Sequence, residues 1–501
     1  MTGGPPFVVA ERPVPGTPRP YEFPRPERTT LANGITVLWV HMPGRGLVTA
    51  TFVTRRGAAD EPPDLGGGTV LAARAATEGT ELHDAIALIE AAERLGASIH
   101  AEASWDAVTV GVDVPGARLS PALELLAEVL RRPTFPAAEV DRLRDERLND
   151  ILQARADPRR RAEEALIAAV YATSSPYRRP AAGLRETVER LDRDAVASVY
   201  AGLVDPAASA LVIAGDLAEA DVPVLASSLF GDIRRPAATQ PAATQPGTPP
   251  GTAGAPAIDD RPLRSDRRVR AHHRPGSVQT EIRIGHPGVP RRHPDFHALS
   301  VMSSILGGLF NSRLNMKLRE EKGYTYGASA GFDMRRGAGP FVARAAVNTD
   351  ATVPAIQDTL AELERIREAE VADTELRAAR DYLIGVFPLR FETPGPVAAA
   401  LAGLHIHELP EDELRHYRAS IEAVTAADVL RVAREHVRPE AAAVVLVGDH
   451  DAFGDALHAA SIAPIEVIED SVDTAGAPVD SGTGEGTGTG DGVRAGERAD
   501  G

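Results

Sequence analysis

Arg319 and Tyr326 stand seven residues apart in the run Ser312-Arg-Leu-Asn-Met-Lys-Leu-Arg-Glu-Glu-Lys-Gly-Tyr-Thr-Tyr-Gly327. A guanidinium offers fixed donors to a carbonyl or carboxylate, and a phenol offers one hydroxyl. Spacing alone leaves a plainer reading open, because arginine in a last helical turn complements the helix dipole and a strand tyrosine packs. Other chemistries lack their residues. The chain has no cysteine, which removes disulfides, thiolate nucleophiles and cysteine metal sites. Its 14 histidines include neither His-x-x-Glu-His nor His-Glu-x-x-His; His405 and Glu408 have the first spacing, but Leu409 follows.

The elements around the pair are a helix and a strand. Asn311 or Ser312 is placed to cap a helix running through Leu314 and Leu318 to Arg319, and Gly323 stops it. Tyr324-Thr-Tyr326 is then expected to begin a strand continuing to Phe332, with both tyrosines on one face at period two. A tight helix-to-strand turn would aim Arg319 and Tyr326 into one space.

This unit lies in the second of two similar halves. Leu191–Tyr200, Pro206 and the strand-like Ala210–Asp216 reappear as Val424–Ala433, Pro439 and Ala443–Asp449, and a constant offset of 233 aligns the prolines and both Gly-Asp pairs. Between the halves, Pro236-Ala-Ala-Thr-Gln240 is repeated at once as 241–245, which reads as a semi-stiff linker. The expected division is an extension over 1–29, a domain over 30–232, a linker over 233–261, a domain over 262–465 and a disordered acidic tail over 466–501. The first half opens with a hairpin turn at Asn33-Gly34 and a strand over Leu47–Thr54. Helical patterns follow over 68–77, 82–95, 119–130, 137–155 and 162–171. Strands before helix pairs indicate an α+β fold, each half a mostly antiparallel sheet packed against helices.

A net charge of −17, with nine acidic and two basic residues between Glu466 and Asp500, argues against a nucleic-acid partner. The first residues have neither a basic stretch nor a long apolar core, and no apolar run approaches 18 residues. A cytoplasmic protein without membrane partners is expected.

Several of these segments resemble the insulinase family, which includes pitrilysin and the mitochondrial processing peptidase. They are the Asn33-Gly34 strand, the Gly57…Asp60-Glu-Pro62 turn, the Gly66–Thr80 helix, Ser175-Pro-Tyr-Arg178…Gly183, Gly215-Asp216, Gln279 and the Ser312–Gly327 run. The resemblance covers about Thr30 to Asp449 and implies two similar halves closing like a clam shell on a peptide-engulfing chamber. The family's zinc motif is His-x-x-Glu-His on one helix, two histidines holding Zn²⁺ and a glutamate deprotonating a bound water. Counting back from Glu78-Gly79-Thr80, that motif falls on Val70-Leu-Ala-Ala73-Arg74, and Asp150 lies near the expected distal ligand. Valine and arginine replace the ligands and alanine the base, and a fixed cation repels a metal. No cofactor is therefore expected in this chain.

The resemblance further implies that Arg319 and Tyr326 reach a substrate held at a zinc site of an opposite half. It also implies that peptides add to the strand edge at Ile99-His100-Ala101-Glu102, where backbone groups carry the binding; an ordinary edge strand is the alternative. The expectation is a zinc-free subunit of a heterodimeric metallopeptidase, its partner a homologue carrying His-x-x-Glu-His and zinc. A scaffold resembling the core subunits of respiratory complexes is the rival reading.

Overall fold

The computed structural model describes residues 20–218, 220–234 and 258–469. Most of the expected linker, the first 19 residues and all of the expected tail but 466–469 lie outside the described residues, and those four residues belong to a strand rather than to a disordered tail.

Two six-stranded sheets, one in each half, form the frame. The first contains β1 (Glu27–Thr30), β2 (Thr36–His41), β3 (Leu47–Thr54), β4 (Ser98–Ala103), β5 (Val108–Pro115) and β6 (Ser209–Gly215), in the order β1-β2-β6-β3-β5-β4. The second contains β7 (Arg268–His273), β8 (Gln279–Pro287), β9 (Ala328–Phe332), β10 (Pro340–Asn348), β11 (Ala443–Gly448) and β12 (Ile465–Glu469), in the order β12-β7-β11-β8-β10-β9. Pairing is antiparallel except at β2–β6, β7–β11 and β7–β12. Asn33-Gly34 turns β1 into β2, with Gly34 at φ +98, a conformation in which a side chain would be strained.

The duplication extends to single hydrogen bonds. In the first half, His41 Nδ1 accepts the Leu217 N–H at 3.0 Å and Asp216 accepts the Gly44 N–H at 3.0 Å. In the second, His273 Nδ1 accepts the His450 N–H at 3.0 Å and Asp449 accepts the Gly276 N–H at 2.9 Å. Each His–Asp pair thus closes the end of a parallel strand pair.

The early helices are α1 (Gly68–Ala75), α2 (Ala85–Leu95), α3 (Leu119–Arg131), α4 (Ala137–Ala156) and α5 (Pro158–Val170). On one face of the first sheet, Val48, Ala50 and Phe52 share a core with residues of α1 and α3. Its other face contributes Leu38, Val53, Ala210 and Val212 to a core that holds Val397, Ala398 and Leu401 of the helix Pro394–Ile406. That helix comes from the second half. Conversely, Ala162, Ala165 and Leu166 of α5 pack against Val342, Val445 and Val447 of the second sheet. Each half therefore lends one helix to cover the other's sheet.

A buried polar cluster reinforces the join. The Arg336 N–H donates to Asp106 at 2.8 Å, and its guanidinium donates to Asp60 at 2.8 Å. The Tyr177 hydroxyl donates to Asp106 at 2.9 Å and accepts the Gly337 N–H at 3.1 Å. Arg335 lies 3.7 Å over the Trp105 ring.

Candidate functional site

The helix that should carry the family's metal is α1, and its start is held firmly. Glu61 accepts the N–H groups of Gly67 and Thr69, each at 2.8 Å, and pairs with Arg179 at 2.9 Å. Burial pushes the Glu61 carboxyl above the usual range, against the pull of Arg179 and these bonds. Gly67 and Gly183, both at positive φ, approach so closely that a Cβ on Gly183 would lie 2.3 Å from the Gly66 oxygen. The Gly57–Pro62 and Ser175–Gly183 motifs are thus the mounting of α1.

On that mounting the zinc donors are missing. Ala73 is buried, Val70 is half-buried and Arg74 is exposed. Arg74 donates to Glu146 of α4 at 3.1 Å. Glu146 also accepts from Arg142 at 2.5 Å, and these bonds, Arg142's first, hold its carboxyl below the usual range. Asp150, the expected distal position, accepts two bonds from Arg160, at 2.8 and 3.0 Å, and one from Arg147. Arg160 foremost keeps Asp150 low. With valine, alanine and arginine where ligand, base and ligand would stand, Asp150 is the one donor left of the expected set, so the residues present do not fit zinc. Sequence spacing pointed to Asp150 and missed Glu146, one turn earlier on α4, because only packing brings it to Arg74.

Ile99, His100, Ala101 and Glu102 lie on β4, an edge strand whose one partner is β5. The His100 ring lies over Gly111, so that a Cβ there would come within 2.5 Å of Nε2.

The Arg319 segment departs from expectation. Only Arg313–Asn315 is α-helical, and Met316–Glu321 forms a wider π-turn. Ser312 makes no side-chain cap bond, and its hydroxyl is buried without a partner. Lys322 donates to the Lys317 carbonyl at 3.2 Å and Tyr324 to that of Leu318 at 2.9 Å, closing the wide turn before Gly323 at φ +65. The strand begins at Ala328, not at Tyr324. Residues 324–327 form a loop pinned by the Thr325 hydroxyl, which accepts the Gly327 N–H at 3.1 Å. The tyrosines therefore do not share a strand face: Tyr324 is half-buried, whereas Tyr326 is 92% exposed. The Arg319 guanidinium lies 4.7 Å over the Phe310 ring and 3.4 Å from Glu320. Among the described residues, no hydrogen bond, ion pair or ring contact joins Arg319 to Tyr326. Single-turn π segments recur at functional sites, but no residue pattern announces this one.

Two duplicated α+β halves, each a six-stranded and mostly antiparallel sheet packed against helices, define the class of fold. Residues 36–181 match the family described as Insulinase (Peptidase family M16), and residues 190–383 match Peptidase M16 inactive domain. The chain belongs to the insulinase family, peptidase family M16. It is 24% identical over 425 residues to a protein of Mycobacterium tuberculosis named an uncharacterized zinc protease, covering 85% of this chain and 93% of that one. It is 25% identical over 288 residues to a probable mitochondrial-processing peptidase subunit beta of Schizosaccharomyces pombe, covering 57% and 59% of the two chains. Among solved structures, a peptidase M16 inactive domain from Pseudomonas fluorescens superposes with a TM-score of 0.76 at 22% identity, over 84% of this chain and 97% of that one. A protease from Helicobacter pylori gives 0.76 at 19% identity, over 85% and 100%. These likenesses establish the fold. No helix among the described residues is long and apolar enough to cross a membrane.

Proposed function

We propose that this chain is the zinc-free subunit of a heterodimeric metallopeptidase. Its partner is a homologue carrying His-x-x-Glu-His and zinc, and its substrate is a peptide enclosed between them. The observation that carries the reading is Tyr326, a tyrosine 92% exposed in a pinned loop beside the π-turn that bears Arg319. An exposed tyrosine presents an apolar ring and a hydroxyl together, a combination enriched where proteins meet other molecules. Arg319 would hold a substrate carbonyl or carboxylate. Tyr326 would donate its hydroxyl to the oxyanion that develops as the peptide bond is attacked at the partner's site. The edge of β4 supports the reading, since an unpaired strand edge can receive an extended peptide.

The test is reconstitution of the full chain with a homologue bearing the intact motif. The chain alone should not cleave peptides, and the pair should do so in a chelator-sensitive way. Tyr326→Phe should lower the rate of the complex by about 10²–10³, the usual cost of one oxyanion donor, and Arg319→Ala should also impair it. Full activity in both variants would leave the scaffold reading in its place.

A further inference from the structure

His293, Asp295 and His436 converge where the start of the helix Phe296–Ser303 meets the last residue of the helix Ala426–His436. One ligand atom from each lies within 4.8 Å of the others. His436 Nε2 is 3.2 Å from Asp295 Oδ2, and His293 Nδ1 is 3.8 Å from the same oxygen. Glu435 Oε2 lies 3.7 Å from His436 Nε2. Donors at zinc bond lengths around one tetrahedral ion stand roughly 3.3–3.5 Å apart, so shifts of about an ångström would bring His293, Asp295 and His436 to coordination, while Glu435 lies outside their group.

The cluster is held together without an ion by Arg431, which donates to both Asp295 oxygens, at 3.0 and 2.6 Å, and to Glu435 at 3.2 Å. The Asp295 N–H also donates to His293 Nδ1 at 3.2 Å. Coordination would exchange that long bond for a metal bond. Arg431 would stay on the outer lone pairs of Asp295, as donors commonly do behind a ligating carboxylate. Two carboxylates against one guanidinium leave the cluster a net negative charge. His436 ends its helix, where the dipole also favours a cation.

The duplicated fold does not demand this cluster. At the offset of 233 residues that aligns the halves, His436 corresponds to Leu203, an ordinary buried core residue. The other histidine–carboxylate group, His273, Asp449 and Asp451, is accounted for by the strand-end pairing that recurs at His41 and Asp216.

We propose that His293, Asp295 and His436 bind one borderline divalent transition-metal ion such as Zn²⁺, with solvent in the fourth position. The ion would clamp the two helix ends and take no part in peptide cleavage. Two imidazoles with a carboxylate suit zinc, whereas calcium and magnesium prefer oxygen alone. The test takes the full chain, stripped with a chelator, and titrates it with Zn²⁺ by calorimetry and with Co²⁺ by visible absorption. One equivalent should bind with a dissociation constant of about micromolar or below. Cobalt should give the intense band of a tetrahedral site, and zinc should raise the thermal midpoint. Asp295→Asn and His436→Ala should each weaken uptake at least tenfold, while His273→Ala and Arg319→Ala should leave it unchanged. If His436→Ala does not fold, His293→Gln at the more exposed ring provides the same reading. Uptake of no equivalent by the wild-type chain, or equal uptake by wild type and the His293 and Asp295 variants, would overturn the proposal.

Discussion

Arg74 and Glu146 bridge α1 and α4 with both side chains 46% exposed. Exposed pairs contribute little, so Arg74→Ala should cost no more than about 1 kcal/mol in urea unfolding. Tyr177 is the opposite case. Its fully buried hydroxyl joins Asp106 of the first half to Gly337 of the second, and burial pushes its ionisation far above the ordinary tyrosine range. Tyr177→Phe strips both groups of a partner and should cost about 1–3 kcal/mol by the same measurement. The losses at Val70, Ala73 and Arg74 could be seen in the sequence, because identity alone removes a ligand or a base. The partners of Arg74 and Asp150 could not, because a carboxylate's neighbour across two helices depends on their packing.

At the scale of elements, the helix boundaries mostly follow local chemistry. α3 runs over 119–131 and α4 over 137–156, within a residue or so of where their apolar spacing puts them. α5 starts four residues earlier than its pattern suggests, because Asp157 accepts the N–H groups of Arg159 and Arg160 ahead of Pro158. An aspartate before a proline signals such a start. Apolar periodicity shows that a helix buries one face but carries no record of which sheet receives it. The exchange of α5 and Pro394–Ile406 was therefore hidden. It makes matched predictions: Leu166 and Leu401 are both fully buried, each helping to cover the sheet of the other half. Leu166→Ala and Leu401→Ala should each cost about 2–5 kcal/mol, and each should unfold both halves in a single transition. Two separate transitions would mean that the exchanged helices do not couple the halves.

For the whole molecule, three histidines shape the response to acid, His286 buried and His405 and His407 half-buried. Burial lowers His286, His405 and His407 to about 4 each. Between that value and the unfolded one near 6.5, the unfolded chain binds more protons, so stability falls as pH drops through this window. Each contributes a slope of up to about 1.4 kcal/mol per pH unit. Glu61, Glu164 and Glu362, which burial raises, act with the opposite sign lower in the window. The histidine effect is therefore clearest between about pH 6.5 and 5.5. Urea midpoints should fall over that interval, and His405→Gln should flatten the fall. The two-half plan itself was visible in the repeated Gly-Asp strands, since a copied strand end keeps its turn residues. The histidine–aspartate closures of both sheets repeat the plan as well, Asp216 and Asp449 at the same 233-residue offset and His41 and His273 one residue short of it.

The exchange of helices also bears on how the chain is made. Leu38, Val53 and Val212 of the first sheet wait for Leu401 to cover them, and Leu401 emerges from the ribosome long after Gly215 completes β6. At ordinary elongation rates the intervening stretch takes roughly 10–40 s to synthesise. Throughout that interval a nascent first half presents an apolar sheet face to solvent, a surface on which holding chaperones act. Ribosome-bound chains halted before residue 394 should therefore recruit such chaperones, and chains halted well beyond Ile406 should release them.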